Sequence, residues 1–144
     1  MKGFTLIENL VMVSVLSVLL ILVIPFQARV RNRYNLEMAV WQIHSEINHL
    51  KYQAVKDSVP YRFCIFSRGY IIEKYDVSSS GWKKVDQKTL SGLWLEANNS
   101  PVFYPEGTVS NLATITIANS AGKYRLTVAI SGRIKIIRLD GDSD

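Results

Sequence analysis

Cysteine is almost missing from this chain of 144 residues: Cys64 stands alone. No disulfide can close within it, and no cysteine spacing of the zinc-binding kind exists. Cys64 lies in an apolar, strand-like stretch, where it reads as a small buried hydrophobe and not as a nucleophile. Histidine is nearly as scarce. His44 and His49 are five residues apart, which puts them on different faces of a helix, unlike the i, i+4 pair that grips a metal. No Ser-His-Asp order, phosphate-cradling glycine loop or pair of carboxylates in a plausible pocket is present, so the chain does not read as an enzyme, and no cofactor or metal is expected. Glycine is absent between Gly3 and Gly69, and charge is absent from residues 9 to 28. Acidic residues are outnumbered 12 to 17, giving a formal charge of +5 and a pI near 9.4. That balance permits contact with anionic lipid or nucleic acid and requires neither.

An apolar run, FTLIENLVMVSVLSVLLILVIPF, extends from Phe4 to Phe26 with Glu8 as its one charged residue. As a helix it would rise about 35 Å, enough to cross a hydrocarbon core. It is too long for the core of a removable signal peptide, and no small-x-small cleavage pattern follows it. Ser14 and Ser17 can return their hydroxyls to backbone carbonyls one turn back. Glu8 is the anomaly, since a carboxylate in a spanning segment costs several kcal/mol unless paired, neutralised or able to reach the headgroups. On its own residues it reads either as a side chain reaching the headgroups, helped by the positive end of the helix dipole, or as a charge awaiting a partner. Pro25 either ends this helix or is carried within it as a point of local weakness.

From Asn35 to Lys56 the positions Leu36, Val40, Ile43, Ile47, Leu50 and Ala54 recur at alternating spacings of four and three, one face of an amphipathic helix. With no glycine in between, one bent helix of about 80 Å is expected, its upper half packed on the chain's own sheet and not in a coiled coil. After Ser58-Val59-Pro60 the period switches to two. Strands are expected at 61–66 and 70–75, joined by Ser67-Arg68-Gly69, then at 82–85, 93–96, 102–104, 113–118, 124–131 and 134–139, with a serine-rich loop from Asp76 to Gly81. In the last hairpin Leu126, Val128 and Ile130 share a buried face with Ile134 and Ile136. Pairing Ile130 with Ile134 leaves a three-residue loop, Ser131-Gly132-Arg133. The other face then carries Arg125, Thr127 and Lys135, with Arg133 at the tip and Arg138 near the end. The fold class is therefore α+β, a long N-terminal helix on a C-terminal antiparallel β domain.

Residues 2 to 8, Lys-Gly-Phe-Thr-Leu-Ile-Glu, resemble the processing signal of type IV prepilins and pseudopilins, set directly before an apolar span. Further along, Val59-Pro60, Gly81-Trp82, Phe103-Tyr104-Pro105-Glu106-Gly107 and the segment Val128 to Ile134 are similar to the GspH/FimT family of minor pseudopilins and minor pilins. The resemblance implies a pilin-like architecture with a leader at 1–3, a transmembrane segment at 4–26, an amphipathic stalk at 27–58 and an exported β-rich domain at 59–144. It implies cleavage between Gly3 and Phe4 by a prepilin peptidase, N-methylation of Phe4, and an inner-membrane protein with its N-terminus cytoplasmic and its domain periplasmic. Glu8 and Pro25 become assembly residues, Glu8 pairing with the freed Phe4 amine of a neighbouring subunit. Arg29, Arg31 and Arg33 follow the span and only Lys2 precedes it, so charge counting would orient it the other way; the motif takes precedence because its peptidase site faces the cytoplasm. The function implied is a structural subunit that assembles with other pilins or pseudopilins in a type IV pilus or type II secretion pseudopilus. The alternative is DNA capture through Arg125, Arg133, Lys135 and Arg138.

Overall fold

The computed structural model describes residues 5–139, apart from the side chains of 22–26 and 28. One helix, α1, runs from Leu6 to Asp57 without interruption. Thr5 caps it, its Oγ1 accepting from the Glu8 backbone amide at 3.4 Å. Thr5-Leu6-Ile7-Glu8 has the spacing of a capping box. The Ser14 and Ser17 hydroxyls bond back to the carbonyls of Leu10 and Val13 at 2.7 and 2.8 Å, as their positions predict. Position 25 lies inside α1, so Pro25 does not end the helix. The end comes at Ser58, which takes a left-handed φ of 55° as C-cap, two residues before Pro60, which cannot continue a helix.

Nine strands follow: β1 (Tyr61–Phe66), β2 (Gly69–Asp76), β3 (Gly81–Thr89), β4 (Trp94–Ala97), β5 (Val102–Phe103), β6 (Val109–Ser110), β7 (Thr114–Asn119), β8 (Gly122–Val128) and β9 (Ile134–Leu139). They form two antiparallel sheets, one ordered β3-β2-β1-β5-β6 and the other β4-β7-β8-β9. The expected fold class holds, with the six stalk positions Leu36, Val40, Ile43, Ile47, Leu50 and Ala54 all buried against both sheets. From the first sheet Tyr61, Phe63, Tyr70, Ile72, Phe103 and Val109 meet them, and from the second Leu95, Ile115, Ile117, Leu126 and Val128. Burying each aliphatic side chain of this size contributes roughly 1.5–3 kcal/mol, which is why the helix stays on the sheets.

Three features depart from expectation. Val128 pairs with Ile134, and Leu126 with Ile136, two residues away from the expected register. The parity is kept, so the buried faces are as read, but β8 stops at Val128 and Ile130 is 66% exposed in a longer loop. There the Gly132 amide bonds to the Ala129 carbonyl, and the Ala129 amide to the Arg133 carbonyl. Secondly, β3 extends to Thr89, well beyond Val85, with a bulge opposite Ile72/Glu73. Thirdly, β6 pairs with β5 in a two-residue ladder that no apolar alternation announces.

Polar ties fix the upper half of α1 to the sheets. Near its lower end the Asn32 Nδ2 donates to Ser120 Oγ at 2.9 Å, and Asn119 Nδ2 donates to the Asn32 carbonyl at 2.7 Å. Higher up, Lys51 Nζ donates to the Gly132 carbonyl at 2.8 Å. The β domain therefore begins at Asn32, and the helix below it projects as an arm.

Candidate assembly surface

The arm is apolar on every side. From Leu6 to Ile21 each large apolar side chain is at least half exposed, between 54% and 83%. Among the described residues nothing in the β domain covers them. Among the described residues no helix is long and apolar enough to cross a membrane; the described apolar stretch stops at Ile21, and the side chains of 22–26 are not described. Glu8 sits in the first turn of the arm and is exposed.

Above Asn32 the helix has a second apolar line, opposite the buried one. Tyr34, Met38, Trp41, Tyr52 and Val55 are 54–68% exposed. Their spacings are of four and three, with Ser45 and Asn48 filling the middle steps. Trp41 meets the His44 ring edge-on, with centroids 5.7 Å apart, and His49 is exposed.

At the upper end of α1 a carboxylate joins helix to sheet. Asp57 Oδ2 accepts from Lys74 Nζ and from Tyr61 Oη, both at 2.6 Å. The Lys74 bond, then the Tyr61 bond, hold the Asp57 carboxyl below its ordinary value. The same bond, donated to Asp57, raises Lys74. Burial first, then Asp57, pushes up the Tyr61 phenol.

Cys64 is half-buried on the outer face of the first sheet, not in the core. Its thiol donates to Glu73 Oε2 at 3.4 Å, and partial burial raises its pKa, which keeps it protonated and unreactive. Glu73 also accepts from Arg62 Nε at 2.6 Å, and the Arg62 guanidinium lies 4.4 Å from the Trp82 ring centre. Among the described residues no group of three His, Cys, Asp or Glu side chains could hold a metal.

No family model and no curated protein matches the sequence. Solved structures do. A structure of the minor pseudopilin EpsH from the type 2 secretion system of Vibrio cholerae superposes with a TM-score of 0.62 at 16% identity, over 72% of this chain and 97% of that one. A second EpsH crystal structure gives 0.61 at 14%, over 72% and 95%. The type IV minor pilin FimU of Pseudomonas aeruginosa gives 0.59 at 16%, over 73% and 90%. The fold is that of a minor pilin.

Within this minor-pilin fold the expected site residues fall in different places. Gly3 and Phe4, the cleavage and methylation positions, lie outside the described residues, as does the leader. Glu8 and position 25 are on the arm, apart from the β domain. The four basic residues do not form one surface. Arg125 and Lys135 are exposed on the outer face of the second sheet, Arg125 opposite Ile137 and Lys135 opposite Thr127, and Arg133 is in the β8–β9 loop. Arg138 pairs with Tyr124, on the other face, with its guanidinium 6.0 Å from that ring's centre. Parity along β9 separates it from Lys135, so the four residues grouped as a possible DNA contact do not share a face. Lys123 takes its place on the outer face, opposite Ala118 and Leu139. Sequence reading also passed over the line Tyr34, Met38, Trp41, Tyr52 and Val55, although its heptad spacing was there to find.

Proposed function

We propose that the chain is a structural subunit of the minor pilin or pseudopilin kind, anchored in the inner membrane by its N-terminal helix and assembled with other pilins in a type IV pilus or type II secretion pseudopilus. One observation carries this: a single helix whose upper half is one wall of the β domain's core, while its lower half presents an apolar surface that none of the described residues covers. Such an arm requires lipid, or the helices of neighbouring subunits, around it. The likeness to EpsH and FimU supports the same reading at the level of fold. A prepilin peptidase removes residues 1–3 on the cytoplasmic side and Phe4 is methylated. The freed cationic amine of Phe4 then lies close to Glu8 of a neighbour, where an unpaired carboxylate is costly. Pro25, within α1, marks where the arm can loosen as the subunit leaves the bilayer.

Mass spectrometry of the mature product tests processing: a chain beginning at methylated Phe4 is expected, and an intact leader refutes the reading. Glu8 is also the fourth residue of the capping-box sequence Thr5-Leu6-Ile7-Glu8, where its side chain can serve its own helix. Glu8→Gln keeps a hydrogen-bonding side chain and removes the charge, whereas Glu8→Val removes both. If pairing with Phe4 sets subunit register, both variants insert in the membrane and neither enters filaments. If Glu8 only caps its own helix, Glu8→Gln assembles like the parent.

A further inference from the structure

The geometry points to a docking surface for the chain's own acidic end: residues 140–144 form a strap that closes over the junction of arm and β domain, onto Lys123 and Arg29. Charge, direction and reach converge on it. The strap needs only the fold, so it stands or falls apart from the anchored arm proposed above.

From Gly107 to Leu139 the sequence holds five basic residues and no acidic one; Asp140, Asp142 and Asp144 then follow within five positions. Carboxylates are as scarce on the neighbouring helix. Glu37 is the only one between Glu8 and Glu46, and Arg33 already engages it at 3.3 Å. Arg29 and Lys123 are exposed and form no ion pair with another described residue. The three aspartates are therefore the nearest acids in the chain to two cations that lack a partner among the described residues.

The direction of β9 brings them there. The strand starts beyond the loop that Lys51 holds through the Gly132 carbonyl, and it ends at Leu139, opposite Lys123. Next to Lys123, a Cβ on Gly122 would sit 3.8 Å from Leu36 Cδ2, and the β7–β8 turn is tied to Asn32 through Asn119 and Ser120. A chain that leaves β9 in the same sense passes this turn and heads for the arm. Arg29 precedes Asn32 by three residues and so shares its face of the helix, one turn lower. Five residues extend at most about 17 Å. From Leu36 down to Arg29 the helix falls about 10 Å, and one strand spacing adds about 5 Å sideways. The junction is within reach. The lysines at the other end of the domain are not, since Leu36 and Asp57 are about 30 Å apart along the helix. Closed, the strap would keep other anions off the foot of the domain; opened, it would uncover Arg29 and Lys123.

The test uses the full chain in a non-ionic detergent, with Cys64→Ser and a nitroxide on Ser143→Cys. At low salt the label should be held, its slow-motion fraction severalfold above that at high salt, where charge pairing is screened. Arg29→Gln with Lys123→Gln should release it as salt does. Arg125→Gln with Lys135→Gln, an equal loss of charge on the outer face of the same sheet, should leave it held. Release by the second pair, or by neither, overturns the junction as the docking surface. A label mobile at every salt concentration overturns the strap. A label held only as protein concentration rises overturns closure within one chain and assigns the tail to a second copy. Duplex DNA, as a polyanion probe, reads the consequence. Asp140→Asn with Asp142→Asn and Asp144→Asn should bind it severalfold more tightly than the parent. Removing three exposed carboxylates elsewhere (Asp86→Asn, Glu96→Gln and Glu106→Gln) should raise affinity much less. Equal gains from the two triple variants reduce the effect to net charge and overturn the covering role.

Discussion

Asp57 is the last helical residue of α1, and it holds the helix to two strands through one oxygen. Its carboxyl is held below the ordinary value in the folded chain. A depressed acid stabilises the fold above its unfolded pKa, and that stabilisation is lost as pH falls through the lower, folded one. Asp76 behaves alike, held down by Ser79, then the Ser78 amide, then Lys83. The melting temperature of the parent should therefore fall as pH drops below about 4, and Asp57→Asn should flatten part of that fall while leaving the contribution of Asp76. A variant with an unchanged acid slope would show that Asp57 adds nothing. Lys74, raised in the folded state, acts at the other end of the scale: its contribution is complete below its unfolded pKa and is lost as pH rises through the folded one. Glycines give a second contrast at this scale. A Cβ on Gly69 would fall inside the contact radius of the Lys88 backbone carbonyl oxygen, at the end of the β2–β3 ladder, whereas Gly92, at φ 73°, has nothing within 4 Å. Gly92→Ala should cost about 1–2 kcal/mol from backbone strain alone. Gly69→Ala should cost about 3 kcal/mol, because backbone must move. Urea titrations of the two would order them, and the reverse order would refute the steric argument.

Among the elements, α1 was the most legible and β3 the least, for the same physical reason. Leu36 to Ala54 face a core, so their spacing carries the helical period; each is at most 2% exposed. Ile47→Ala should accordingly cost about 2–5 kcal/mol in denaturant unfolding, and a loss below 1 kcal/mol would mean that the helix does not seal the two sheets. By contrast β3 is an edge strand, with every residue from Lys83 to Thr89 exposed. Lys83, Lys84, Asp86 and Lys88 guard its free side, and a strand that buries nothing shows no apolar alternation beyond Trp82. The register error in the last hairpin has a related cause. Ile130 looks like a core residue by composition, but its carbonyl accepts from the Val109 amide at 3.0 Å. A tertiary bond to β6, a strand too short to be seen in sequence, pulls that residue out of the ladder. The basic set divides by parity: Lys135 and Arg138 are three residues apart, which on a strand means opposite faces. Glu8 and Pro25 stood out because each violates a local rule for an apolar helix, and a rule broken in sequence needs no fold to be noticed.

For the whole molecule, the two long faces of α1 above Asn32 divide the work. One face, Leu36 to Ala54, is saturated by the two sheets. The other, Tyr34, Met38, Trp41, Tyr52 and Val55, is a rod of large side chains that the chain leaves in water, continuous at its lower end with the uncovered arm. Its composition, Trp, Tyr and Met, is that of side chains enriched at protein interfaces. Stability and assembly should therefore separate cleanly along the helix. Trp41→Ser removes a ring whose intramolecular ring contact is the edge of His44, so unfolding free energy should shift by no more than about 0.5 kcal/mol. Incorporation into filaments, or cross-linking to partner pilins, should fall severalfold, as for a central aromatic in an interface. Ile47→Ala should do the opposite at a temperature where it remains folded: it should lose stability and still assemble. If Trp41→Ser destabilised the chain as much as Ile47→Ala, the exposed line would belong to the fold itself. If it left both stability and assembly untouched, the subunit would meet its neighbours through the arm alone.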